Sequence, residues 1–472
     1  MATTTTQGPH SPHPSSLIVV IGLAYLALML ASAPQLLDPL VRHDDFPALL
    51  ADPSGFYIKT LTEGRWLNYL WHLRGVVTPS WLNFGVYQLF WAVFAGAAAV
   101  NACGRGELRW YTVALALMIA VAPSAYLISL WFNTLLPGLG FVALFAVLAT
   151  FLSPAKMRLL LVVFVPITLM AYTSYPLLLL AICLTTRDAR RSWGNLIALL
   201  AIFILSFALG ILVIYGLNYF EHGVFGMQMA DWRNPSPARD LQSLLANLSL
   251  FTDFLGQSAS TLAFNFSPFI AVHGALLVGG LIILTRHAPW LALYILAGMT
   301  AGLGLLGLQT VLTGVSVPVR AVTFFWVFYS IIIVRAALVI HQRGGFAARM
   351  ARNVLVLIIA SYLLQTARQY LNFRDWQGVT RDMAVQTGDG TTPIYVIGSY
   401  QTLSGARKAA IQQPRGLRLR LTYLTGRQVI LCRETPQDCD ATLTDLPPIG
   451  ATQQFEIRQT PDKTVIILRS PT

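Results

Sequence analysis

"LLLVVFVPITLMAYTSYPLLLLAICLT", residues 159–185, decides how the chain is threaded. The stretch is apolar enough to enter a bilayer, where one helical span needs about 20 residues. It is interrupted at "YTSYP", 172–176, by hydroxyl side chains and a proline. Read as one span, it would put Arg187, Arg190 and Arg191 on the far side from the other basic loops. Read as two short helices meeting at the break, it keeps them on the same side, and that reading is adopted.

Working outward, the runs 17–37, 81–100, 196–216, 266–284, 290–308, 321–340 and 354–371 each read as a span. The stretch 110–152, with Pro123, Pro137 and "SLWFNT", reads as two more. With the N-terminus inside, the connections 103–109, 153–158, 186–192, 286–288 and 341–353 are cytoplasmic. They hold eleven Lys/Arg against Glu107 and Asp188, whereas the opposite loops up to Arg320 hold seven against nine acids. This is the asymmetry of the positive-inside rule. The expectation is a mainly α, polytopic membrane protein of about eleven transmembrane helices. Residues 1–16 read as a polar, flexible N-terminus, and 17–37 as a span rather than a cleaved leader.

Composition agrees. The 472-residue chain is 55% hydrophobic and 11% charged, with mean hydropathy +0.61. Soluble domains carry about 25% charged residues, and ionised side chains are costly in lipid. The net charge of +12 follows from the basic inner loops and gives no argument for nucleic acid.

From 372 to 472 the chain turns polar and reads as a separate soluble domain outside the membrane, small and α/β or α+β. The runs "PIYVIGSY" and "TVIILRS" read as strands. Cys432 and Cys439, seven apart in an extracytoplasmic domain, favour a disulfide closing a small loop, with two free thiols as the alternative. Cys103 and Cys183 read as packing residues.

Two long outer loops, 38–80 and 217–264, hold most of the chemistry. In loop one, "ADPSGFYIKTLTEGRWLNYLWHLRG" reads as one interfacial helix, capped by Asp52 and ended by Gly75. In loop two, 238–254 reads as an amphipathic helix. Asp44 and Asp45 can serve as a general base or help bind a divalent cation; each also reads as a cap or a solvated acid. Lys59, Arg65 and Arg320 can hold a phosphate, or snorkel and pair with Glu63. Ser174 and Tyr175 sit at the break, where polar groups line cavities or cap helix ends. His222, Asp231, Trp232, Arg233 and Asp240 are candidates to contact a sugar, or ordinary loop polarity. No nucleotide-binding loop, metal-type Cys/His spacing or nucleophile elbow occurs, and the inner loops are short. An active site therefore belongs outside, where a lipid-borne donor fits better than a nucleotide.

"HDD" after the first span, "EGRW" about twenty residues on, a tyrosine-containing break and an outside "PVR" opening a late span together resemble a family. They resemble the membrane glucosyltransferases that decorate bacterial O-antigen (Gtr type II), of the GT-C class of polyprenyl-phosphate-sugar-dependent glycosyltransferases. The resemblance covers about 15–370; where "YTSYP" stands, the family leads us to expect Tyr-Gln. It implies a GT-C-like domain over 17–371 in the bacterial inner membrane, with the tail periplasmic and free to set the acceptor. The implied donor is an undecaprenyl-phosphate sugar, with glucose the family default. The implied acceptor is O-antigen or another surface glycan of the lipopolysaccharide kind. On this reading Asp44 or Asp45 is the base, with a slight lean to Asp44. Arg65, Arg320 and Lys59 hold the donor phosphate, and Glu63, Trp66, Ser174, Tyr175, His222 and Trp232 contact substrate. No cofactor is certain; Mg2+ or Mn2+ stays open. A transporter or flippase for a lipid-linked sugar is the alternative, and would bury ionisable groups mid-span. A non-catalytic interaction protein would leave the acid pair and "EGRW" without a task.

Overall fold

The break at 172–176 forms because two prolines disfavour a continuous helix. The structure, a computed structural model, describes residues 14–104, 109–187, 189–439, 454–459 and 463–468. Helix Pro154–Leu169 carries Pro166 in its last turn. Helix Tyr175–Thr185 restarts with Pro176 in its first turn, where a missing N–H costs nothing. Two backbone carbonyls at the break are met by loop one: Leu67 N–H donates to Met170 O at 3.1 Å and Asn68 Nδ2 to Ala171 O at 3.0 Å. A buried carbonyl left unpaired would be costly, so loop one and the break form one unit.

The chain is mainly helical, and among the described residues seven helices are long and apolar enough to cross a membrane: Ser80–Cys103, Pro123–Phe151, Trp193–His222, Ser267–His287, Pro289–Thr313, Val319–Gln342 and Gly345–Thr387. Shorter apolar helices cover Ser16–Ala31, Trp110–Ala120 and Tyr175–Thr185. The stretch 110–152 divides ahead of Pro123, as its sequence suggests. Most of the expected flexible N-terminus (1–13), Arg105, Glu107 and Asp188 lie outside the described residues.

Loop one departs from its expected single helix. It forms two, Ser54–Glu63 and Trp66–His72, because Gly64 takes the left-handed conformation at φ +68° between them. Most side chains are disfavoured there, and a Cβ on Gly64 would also come within 2.9 Å of Ile214 Cγ2. The turn sets Glu63 and Arg65 on either side of one residue. Asp52 Oδ1 accepts from Ser54 N–H at 3.1 Å, although Pro53 is the residue at the cap. In loop two the helix runs Leu241–Leu262, later and longer than 238–254. Asp240 and Ser243 form a reciprocal capping box at its start, and the left-handed pair Phe264 and Asn265 follows its end.

The last long helix turns at Asn372–Phe373 and continues as Arg374–Thr387. The tail then builds a small mixed sheet from β1 (Ile394–Ile397), β2 (Val429–Leu431), β3 (Phe455–Gln459) and β4 (Thr464–Leu468), in the order β2-β1-β4-β3. β1 pairs parallel with β2 and β4, and β3 pairs antiparallel with β4. Cys432 and Cys439 are joined as a disulfide; Cys103 and Cys183 are buried.

The tail is bolted to loop one. Asp38 receives Arg420 through both oxygens, at 2.7 and 2.5 Å, and Arg381 at 2.6 Å. Gln377 donates to Gln35 Oε1 at 2.8 Å and to the Asp38 carbonyl. The Phe46 and Tyr423 rings stand 6.2 Å apart. Burial would raise the Asp38 carboxyl, but Arg420 and Arg381 outweigh it and hold it below its usual range.

Candidate functional site

The acid pair splits into two environments. Asp45 is fully buried and turns into the protein. Its Oδ2 accepts from Asn133 N–H at 2.8 Å, and its Oδ1 from Thr134 N–H at 2.5 Å and from the Thr134 hydroxyl. It therefore caps the N-terminus of helix Phe132–Phe151 from a distant part of the chain, where a carboxylate also meets the positive end of the helix dipole. Burial pushes it up to about 6, against the lowering effect of the Thr134 and Asn133 donors. Asp44, the preceding residue, faces the opposite way with its side chain 35% exposed. It lies 3.0 Å from His43 Nε2 and 3.2 Å from Lys59 Nζ. Burial would raise it; the His43 hydrogen bond and the Lys59 charge prevail and hold it well below the carboxylate range.

From Asp44 the contacts run in a ring. Lys59 is nearly buried, and burial draws its ammonium below the usual lysine range, opposed by Asp44. One turn on, Glu63 bridges Arg65 at 2.5 Å and Arg233 of loop two at 3.0 Å. Burial would raise Glu63, but Arg65, Lys59 and Arg233 keep it low. The Arg65 guanidinium lies 5.7 Å from the centre of the Tyr172 ring. Tyr172 OH accepts from Arg320 Nε at 3.1 Å. Arg320 stacks 4.1 Å over the Trp131 ring, and Arg42 approaches the same ring at 5.8 Å. Arg42 precedes His43 and Asp44 in the chain, so the series returns to Asp44 along the backbone, and Lys59 and Glu63 are joined only through their shared helix.

Charge is not balanced around it. Lys59, Arg65 and Arg233 each have a carboxylate, whereas no carboxylate pairs with Arg320 or Arg42 among the described residues. Arg42 gives Nη1 to the carbonyls of Ala409 (3.1 Å) and Ala410 (2.6 Å) in the tail, and its Nε is buried without a hydrogen-bond partner. Burial, with the nearby Arg320 charge adding to it, pulls Arg42 down to about 10. Two neighbouring guanidiniums without a counter-charge form a fixed positive field in a partly desolvated place, which suits an anion.

The other expected residues fall outside this ring. Trp66 Nε1 donates to Asn218 Oδ1 at 2.8 Å, and His222 Nε2 meets Thr60 Oγ1 at 2.7 Å. Both tie loop one to helix Trp193–His222. Ser174 and Tyr175 are buried in the wall behind Tyr172, whose ring lies 5.4 Å from that of Tyr175. Trp232 is 71% exposed with Arg233 over its ring at 4.8 Å, leaving one indole face free. Among the described residues no group of three or more His, Cys, Asp or Glu could hold a metal. Asp45 is spent on a helix end, which leaves Asp44 as the one expected carboxylate beside two cationic or basic groups, so this donor set does not fit Mg2+ or Mn2+.

The sequence reading missed Arg42, Trp131 and Tyr172. All three lie inside segments it had marked (the loop 38–80, "SLWFNT" and "YTSYP"), but which tyrosine of the break faces the arginines depends on the turn between two helices. No protein-family model matches the chain, and no curated protein matches it.

Proposed function

We propose that the protein is a membrane glycosyltransferase of the polyprenyl-phosphate-sugar-dependent class, moving a hexose, glucose by family default, to an extracytoplasmic glycan such as O-antigen. In this reading the shorter apolar helices and Pro154–Leu169 cross the membrane together with the seven longer ones, giving eleven spans. Both long loops and the tail then face the periplasm from the bacterial inner membrane.

One observation carries the proposal: a carboxylate about a third exposed, Asp44, stands two residues from Arg42, which shares the Trp131 ring with Arg320, and among the described residues neither arginine has a carboxylate partner. Transfer from a sugar phosphate needs an acceptor for the incoming hydroxyl's proton and a cation for the departing phosphate. The acceptor hydroxyl approaches Asp44 and attacks the anomeric carbon. The bond from that carbon to the phosphate oxygen breaks, and its electron pair leaves with the lipid phosphate against Arg320, with Arg42 behind it. The hydroxyl proton passes to Asp44. Because Asp44 is held strongly ionised, it orients the hydroxyl first and takes the proton late, once bond formation has made the hydroxyl acidic. Lys59 and Arg65 arrive already neutralised, so they position Asp44 and Tyr172 more than they bind phosphate. The charged members of the ring lie in loops, in the short helix Ser54–Glu63 or at helix ends rather than midway along the long apolar helices, which gives the transporter reading less to work with.

The test is transfer of radiolabelled glucose by the protein in nanodiscs, from synthetic undecaprenyl-phosphate-glucose and, in parallel, from UDP-glucose, to a membrane glycan preparation. Transfer from the lipid donor alone is expected. Absence of transfer from glucose and from a panel of other lipid-linked sugars would overturn the proposal.

A further inference from the structure

The tail holds a cavity of about 390 Å3 at the carboxyl ends of its parallel strands. From β1 the chain passes to β2 on one side and later reaches β4 on the other. Such a reversal leaves a crevice outside the strand ends, and open α/β sheets bind ligands there. The cavity falls within the usual size range of ligand sites, about 300–1,000 Å3. Its floor is apolar, made by Val396 of β1, Leu431 of β2 and Leu468 of β4. β1 leaves through Gly398 at φ +97°, where a Cβ would come 2.5 Å from Leu468 O; only glycine lets the chain turn over the strand ends.

The rim fixes the ligand's chemistry. Its polar lining includes Tyr400, Gln401, Gln412, Arg433 and Glu434. The last two follow Cys432 just after β2, in the loop closed by the Cys432–Cys439 disulfide, and Cys432 N–H donates to Val396 O at 3.0 Å. The Glu434 carboxylate at the mouth, 3.9 Å from Arg418, disfavours phosphate, and neutral amides and hydroxyls make up most of the polar rim. Side-chain amides both donate and accept, as ligand hydroxyls require, while the floor and the Tyr400 ring suit an apolar sugar face. We propose that this cavity binds a neutral saccharide, the acceptor glycan of the reaction above; the acceptor role rests on that reading, and the saccharide site stands without it. The placement is apt: Gln412 lies two residues from Ala410, whose carbonyl receives Arg42, so the cavity wall is tied to the segment that carries Asp44.

The experiment uses the full chain in a detergent without a sugar headgroup. Saturation-transfer NMR is recorded with short neutral oligosaccharides of rhamnose, mannose, galactose and N-acetylglucosamine, with phosphorylated sugars as controls. Neutral saccharides are expected to bind wild type, and phosphorylated sugars are not. Affinity should fall at least tenfold in Gln401→Trp, which fills the mouth from an exposed position, and less in Gln412→Ala, with melting temperatures unchanged. Binding that is unaltered in both variants, or seen only with phosphorylated sugars, or absent throughout the panel, would overturn the proposal. If glycosyl transfer fails but Gln401→Trp still abolishes saccharide binding, the enzyme reading falls and the saccharide site survives. If transfer occurs and the KM for acceptor is unmoved in Gln401→Trp, the acceptor role falls.

Discussion

Arg320 is expected to matter through its fork as well as its charge. Hydrogen bonds to charged groups contribute about 1.5–3 kcal/mol, so Arg320→Ala should raise the KM for a polyprenyl-phosphate donor by about 10- to 100-fold. Arg320→Lys should recover part of that, since a point charge replaces a planar pair of donors. Initial rates against donor concentration measure this, and an unchanged KM would remove Arg320 from the phosphate. Its position was legible in "PVR" opening a span, as was that of the acid pair after the first span. What each acid faces was not. Asp45 caps a helix that begins 87 positions later by way of Thr134 and Asn133, and no local pattern reports a cap delivered from so far. Arg42 and Trp131 stayed unread for the same reason: their meeting depends on tertiary packing.

Gly64 governs loop one at the scale of the element. A side chain in the left-handed conformation costs about 1–2 kcal/mol, and at Gly64 it also meets Ile214. Gly64→Ala should therefore lower the melting temperature and also impair turnover, because the turn carries Glu63 and Arg65. Gly75→Ala is the control: φ is +67° but nothing lies within 4 Å of the added Cβ. It should cost similar backbone strain and leave activity intact. Equal loss of activity in both would contradict the role of the Gly64 turn. The break at 172–176 could be read from its prolines and hydroxyls, and the division ahead of Pro123 likewise. The Gly64 turn was hidden because "TEGRW" fits an amphipathic helix nearly as well, and burial against Ile214 decides it.

Across the whole molecule, the tail and loop one stand or fall together. Arg420 is 3% exposed, and Asp38 is its carboxylate. Removing one partner of a buried pair costs about 3–5 kcal/mol, so Asp38→Ala should release the tail to proteolysis at neutral pH. Acid should do the same in wild type. The folded Asp38 carboxyl is held below its ordinary value of 3.8, so its contribution is full above that value and is lost as pH falls below it. Limited proteolysis of the tail between pH 7 and 3 follows this, and a tail equally protected in Asp38→Ala would refute the docking. The strand-like runs and the cysteine pair announced a small α/β tail. Its docking was invisible, since Gln35 and Asp38 meet residues more than 330 positions away.

The most direct measurement compares sugar transfer from undecaprenyl-phosphate-glucose by wild type, Asp44→Asn and Asp45→Asn at matched membrane levels, alongside thermal melting. Asp44→Asn should melt somewhat earlier, because nearly buried Lys59 loses its carboxylate, and the folded protein should lose transfer by at least a hundredfold, the scale of a removed general base. Asp45→Asn should also melt earlier, by the roughly 1–2 kcal/mol of a lost cap, but keep measurable transfer once folded. Full transfer by Asp44→Asn would contradict the assignment of Asp44 as the base.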